Sequence, residues 1–144
     1  MDAGLELSDA QALASISSGS STKSTNIIDA RAGNKNAWGT SIDPDIGGMV
    51  CNVNVNTVLV GASAAVVPLL VTKEADASIS SGATTVATLP TIAALSAAGT
   101  KVAVQIPIGT TCKRYLGILY QASGGKLTSA KMDAWLSLDN EKKG

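Results

Sequence analysis

The sequence predicts an all-β domain, a sandwich or barrel of about eight strands. Three observations lead there. Apolar and polar residues alternate at a spacing of two over several runs, the period of a half-buried strand. Gly, Pro, Asn and Asp punctuate those runs at short intervals, and no stretch carries a sustained helical period. Apolar residues make up 45% of the chain, yet aromatics are only 3% and phenylalanine is absent. A core of Val, Ile, Leu and Ala suits a thin sandwich better than a cofactor-sized cavity.

Taken in order, Leu5-Glu6-Leu7 and Ala10 to Leu13 are short apolar pieces, and Ser15 to Ser24 is polar enough to read as a loop or arm. Residues 1–24 are expected as an N-terminal arm or short edge strands with a Ser-rich loop. Residues 25–139 form the sandwich domain, and 140–144 a charged tail. Thr25 to Asp29 is a strand candidate. Ala30 to Gly48, rich in Gly, Asn and Asp and holding Trp38 and the turn Asp43-Pro44-Asp45, is long for a loop in a compact domain and marks a contact region. In Met49 to Val60, Cys51, Val53, Val55, Thr57 and Leu59 share one face and Asn52, Asn54 and Asn56 the other. That is an apolar side toward a core and an asparagine side toward water or a polar partner. Val66 to Lys73 is a strand whose Pro68 suggests an edge or a bulge. Thr84 to Leu89 is another, and Thr91 to Gly99 is either a helical turn or a loop.

Lys101 to Asp139 reads as three consecutive strands of one sheet. Val102, Val104, Ile106 and Ile108 share a face in the first, Cys112, Arg114, Leu116, Ile118 and Tyr120 in the second, and Met132, Ala134, Leu136 and Leu138 in the third. Gly109-Thr110-Thr111 and Ser123 to Lys126 are the turns between them.

Composition narrows function more by exclusion than by assignment. At 144 residues the chain fits one domain that buries its own core. Charges balance, 11 against 11, leaving no basic footprint for nucleic acid. No basic segment leads into an apolar one in the manner of a secretory signal. The least polar stretch, Thr57 to Thr72, is broken by Gly61 and Pro68 and falls short of the roughly 20 apolar residues of a membrane span. Cys51 and Cys112 fit no metal spacing and read either as buried thiols or as a bridge between strands. Histidine is absent, which removes the Ser-His-Asp and Cys-His arrangements and the usual zinc sets. Neither Asp43 with Asp45 nor Glu74 with Asp76 supplies the ligand count of a calcium loop. No catalytic residue, cofactor or metal is expected.

Several motifs agree in order with one family. Lys113-Arg114-Tyr115-Leu116-Gly117-Ile118-Leu119-Tyr120, then Gly124-Gly125-Lys126-Leu127-Thr128-Ser129-Ala130, then Ala134-Trp135-Leu136-Ser137-Leu138-Asp139 resemble the C-terminal half of the capsid cement (decoration) proteins of tailed bacteriophages. Ser8-Asp9-Ala10-Gln11-Ala12-Leu13, Ser24-Thr25-Asn26-Ile27-Ile28-Asp29 and Ala97-Ala98-Gly99-Thr100 resemble that family's upstream elements. Residues 30–48 and the tail after Asp139 depart from its pattern. The resemblance implies a jelly-roll-like antiparallel β-sandwich without catalysis. Such a protein binds the outer surface of an icosahedral head as a homo-oligomer, dimer favoured over trimer, and bridges neighbouring major capsid subunits. It implies no nucleic-acid or membrane partner.

On that expectation the interface candidates are Trp38, Asp43, Asp45, Trp135, Leu5 and Leu7. Trp38 is either an anchor for a partner or a plug sealing its loop onto the sheet. Trp135, opposite in parity to the core residues, either faces an oligomer neighbour or lies under a covering loop. Arg114 caps a sheet end or pairs with an acid. A virion adhesin or carbohydrate-binding jelly roll is the competing expectation, and it would need several exposed rings in one groove.

Overall fold

The computed structural model describes residues 6–30, 46–61 and 63–137. Among them are nine strands: β1 Glu6–Ile16, β2 Ser21–Lys23, β3 Ile28–Asp29, β4 Val50–Val60, β5 Ala65–Lys73, β6 Thr84–Thr88, β7 Lys101–Gln105, β8 Tyr115–Ser123 and β9 Leu127–Ser137. One sheet has the order β1-β9-β4-β7. The other has β2-β8-β5-β6, with β3 also on β8. All pairings are antiparallel.

With β2 and β3 counted as one interrupted strand, the pairs nest: β1 with β9, β2/β3 with β8, β4 with β7, β5 with β6. A long antiparallel ribbon folded over on itself gives that nesting, and the product is a jelly roll. The expected sandwich is therefore present, with one correction to its assembly. β7, β8 and β9 do not form one sheet; β8 lies in the sheet opposite the other two. A period of two says which face of a strand is apolar, not which sheet the strand joins.

The inner faces meet in a core of Leu7, Leu13, Cys51, Val53, Val55, Leu59, Leu70, Leu116, Ile118, Tyr120, Met132, Ala134 and their neighbours. The alternation read in β4, β8 and β9 sets these positions. Three local expectations change, and a fourth, left open between two alternatives, is decided. Glu6–Ile16 is an 11-residue strand rather than short pieces, and Ser21–Lys23 is a strand on β8. Ile108 is 91% exposed, because β7 stops at Gln105 and Pro107 ends its alternation. Pro68 lies in an interior strand, not at an edge or a bulge. Its carbonyl accepts from Leu89 N at 3.0 Å, just past the end of β6, so its missing N–H interrupts no ladder bond there. Fourth, Thr91 to Gly99 takes the loop alternative. Ile92 bridges Val66, and turns closing Ser96 on Ala93 and Thr100 on Ala97 follow.

A second, smaller packing centre sits on the outer face of the β8-containing sheet. Ile79 is fully buried yet stands apart from the main core. It closes over Gly117, whose parity is opposite to Leu116 and Ile118, with Val71 opposite Gly117 in register. The loop bearing Ile79 is held by the Asp76 carboxylate, which accepts from Lys73 Nζ at 3.0 Å and Ser78 N at 2.8 Å. The hydrogen bond from Lys73 holds the Asp76 carboxyl below its ordinary pKa. A Cβ at residue 117 would lie 2.5 Å from Ile79 Cδ1 and 2.8 Å from Ile27 Cδ1. Gly117→Ala is expected to cost about 1–3 kcal/mol by overpacking. Urea unfolding would read this as a lower midpoint at unchanged slope; an unchanged midpoint would mean that the loop is not seated on the sheet.

Candidate interaction surface

The N-terminal strand is fixed by a polar chain through the sandwich. Tyr120 O–H donates to Ser8 Oγ at 2.9 Å, and Ser8 O–H donates to Gln11 Oε1 at 2.7 Å. Gln11 Nε2 donates to the Lys23 carbonyl at 2.7 Å, and Thr25 N donates to Gln11 Oε1 at 2.8 Å. Asn26 N donates to the Leu7 carbonyl at 2.9 Å. Leu7 itself is fully buried in the core, so it is not available to a partner, in contrast to the expectation for it. Within the described residues the N-terminal segment is an edge strand of its sheet, one of the two alternatives expected for it. Leu5, Trp38, Asp43 and Asp45 lie outside the described residues.

Trp135 is 5% exposed, and the Lys101 ammonium sits 5.5 Å from its ring centroid. The indole is thus covered within the chain, with the Lys101 ammonium over its face. The neighbouring asparagine face is graded rather than uniformly solvated. Asn52 is fully buried, donating to Ser137 Oγ at 3.0 Å and the Val50 carbonyl at 3.3 Å while its Oδ1 is unpartnered. Asn56 is exposed and donates to Asp133 Oδ2 at 3.2 Å, and Asp133 Oδ1 also accepts from Ala10 N. Arg114 pairs with Asp29 at 3.1 Å, the acid pairing expected of it, but in an exposed position rather than on the core face. Cys51 and Cys112 are buried free thiols, and burial pushes the Cys51 thiol up to about 12. Burial also raises the Tyr120 hydroxyl.

Among the described residues, the large apolar side chains most exposed to solvent lie at two places the sequence reading did not single out. Ile108 is on the turn Pro107 to Thr110, which closes with Thr110 N on the Pro107 carbonyl at 3.2 Å and has Gly109 at φ 88°. That turn is pinned by Ile46 N on the Thr110 carbonyl and Gly48 N on the Ile106 carbonyl. It therefore presents Ile108 on a fixed support. The Pro-x-Gly pattern around Ile108 was the available signal, since such a turn puts its second residue at the tip. Val58 and Val60, 39% and 44% exposed, share the outer side of β4 near its far end. Leu95, 69% exposed and held at φ 61°, adjoins them, since Leu59 N donates to the Ser96 carbonyl. A leucine in left-handed geometry is uncommon and costly for its backbone. The 11 residues of β4 separate these two apolar groups by about 35 Å.

Comparison with curated proteins finds no match. The family model Bbp16 matches residues 7–136, from the start of β1 to the end of β9 and across both sheets. The chain belongs to the Bbp16 family.

Proposed function

We propose that this chain is a non-catalytic capsid cement protein of a tailed bacteriophage, bound to the outer surface of the head as a homo-oligomer and bridging neighbouring major capsid subunits. The observation that carries the reading is the pair of exposed apolar groups, Ile108 at one end of β4 and Val58, Val60 and Leu95 at the other. A rigid sandwich with apolar contacts about 35 Å apart suits a clamp between two subunits better than a single-site binder. The segments resembling cement proteins are also neighbours in space. Ser8 pairs with Ala134 in the β1–β9 ladder, and Tyr120 of β8 donates to Ser8 across the sandwich. Many copies, each held modestly, raise shell stability by mass action and multivalency.

The test is binding to expanded heads that lack this protein, read by co-sedimentation and by the temperature at which heads release their contents. Wild-type protein should bind and raise that temperature. Ile108→Asp and Leu95→Asp should each weaken binding at least about tenfold, the scale of a buried anchor. Failure of the wild type to bind heads, above all with retention on a glycan array, would replace this reading with the adhesin one.

A further inference from the structure

The jelly roll leaves four strand edges, and three of them are blunted in ways that discourage pairing with another chain. β1 has register shifts between Glu6 and Ser8 and between Ser8 and Gln11, positive φ at Ala10 and Ser15, and the acids Glu6 and Asp9. β2 and β3 are three and two residues long and broken between Lys23 and Ile28. β6 is shifted against β5 between Leu70 and Val71 and is followed by Pro90. Bulges, short strands, charges and proline are the devices by which natural sheets prevent edge-to-edge association.

β7 lacks most of them. It pairs with β4 in unbroken register from Val50↔Gln105 to Asn54↔Lys101. Among the described residues no strand pairs on its other side. Its one charge, Lys101, reaches back across β4 to the Trp135 ring on β9, away from the open edge. The direction of its backbone groups follows from the bonds that flank it. Ile106 N donates to the Met49 carbonyl at 2.8 Å, and Val55 N donates to the Thr100 carbonyl at 2.7 Å. In an antiparallel ladder the hydrogen-bonded pairs alternate, so Val102 and Val104 bond to β4 while Ala103 and Gln105 turn their N–H and C=O outward. Val102 and Val104 are only partly buried, on the flank of the core.

We propose that this edge is the self-contact of the oligomer: two copies pair antiparallel along β7, with Ala103 on the twofold axis. This deepens the reading above and takes its biological purpose from it. In that register Ala103 faces its own copy and exchanges two backbone hydrogen bonds with it. Val102 lies opposite the partner's Val104, and no like charges are opposed across the axis. The contact is isologous and closed, so it gives a dimer and not a filament. It also joins the two four-stranded sheets into one continuous sheet, burying the half-exposed valines.

Sedimentation velocity of the full chain over a range of concentrations tests this, with wild type expected to pass from monomer to dimer. Ala103→Lys and Ala103→Glu each place like charges face to face on the axis, so each alone is expected to stay monomeric. An equimolar mixture of the two should restore the dimer. Hydrogen exchange on the wild type gives a second readout free of any folding defect in the variants: the Ala103 and Gln105 amides should slow as concentration rises. Wild type that stays monomeric at the highest concentration, a dimer indifferent to both substitutions, or a mixture that fails to pair would each overturn the proposal. So would unchanged exchange at Ala103 in a dimer. Head binding by a wild type that remains monomeric would leave the functional reading standing and remove this one alone.

Discussion

Tyr120→Ala is expected to destabilise the fold by about 4 kcal/mol, the range for removing a buried aromatic. Tyr120 is fully buried and is the one aromatic ring in the main core described here. It stands on β8 between Thr22 of β2 and Pro68 of β5. The rest of that core is aliphatic apart from Met132 and the two cysteines, and no side chain in it is as large as tyrosine. Its hydroxyl also begins the polar chain through Ser8 and Gln11 that ties β1 to the Lys23–Thr25 segment. Tyr120→Phe keeps the ring and removes only the hydroxyl, so it should cost about 1 kcal/mol, the net worth of one buried hydrogen bond. The difference between the two variants in urea unfolding separates cavity from network. Against a total stability of about 5–15 kcal/mol, the alanine variant should sit near the edge of folding. Equal losses in the two variants would place the whole effect in the hydroxyl chain and contradict the packing argument.

Local pattern carried much of this fold and little of its surface. β4, β8 and β9 were legible because their parity runs unbroken through Cys51, Val53 and Val55, through Leu116, Ile118 and Tyr120, and through Met132, Ala134 and Leu136. β1 was not, because register shifts before Gln11 and positive φ at Ala10 and Ser15 break the alternation, leaving Leu13 and Ile16 an odd number of residues apart though both are buried. Sheet membership was illegible for a different reason. The connections from β7 to β8 and from β8 to β9 cross from one sheet to the other, and a turn sequence such as Ser123 to Lys126 does not distinguish a crossing from a hairpin.

The same logic separates the candidate contacts. Tryptophan is enriched at interface hot spots, whereas Trp135 is covered within the chain, with Lys101 over its ring. Leucine at position 7 looked terminal and therefore exposed, whereas the hydrogen bond from Asn26 N to its carbonyl draws that segment into the sheet. Exposure is a property of what lies across from a residue, which one strand's own sequence does not contain. The β7 edge illustrates the converse. Its sequence, KVAVQ, is unremarkable as a strand, and its character emerges only when the other three edges are set beside it.

Raising the pH above 9 should progressively destabilise the protein, with the buried Cys51 thiol as one cause. Burial takes the Cys51 thiol from 9.0 to about 12 in the folded state. Between those values the native chain keeps a proton that the unfolded chain has released, so unfolding is coupled to proton loss. Stability from this group is fully present below pH 9 and falls by about 1.4 kcal/mol per pH unit as the pH climbs toward 12. At pH 10.5 the loss from Cys51 alone is therefore about 2 kcal/mol. Tyr120 acts in the same direction from its ordinary value of 10.0 upward, since burial favours its neutral form as well. Urea unfolding at several pH values between 7 and 11 should thus show a plateau and then a decline. In Cys51→Ala the absolute stability falls through lost packing, but the decline above pH 9 should be shallower by the share that this thiol carries. The comparison uses slopes, so the packing loss cancels. A Cys51→Ala profile parallel to wild type from pH 9 upward would show that the thiol does not carry the alkaline transition, and that the core around β4 admits water more readily than its burial implies.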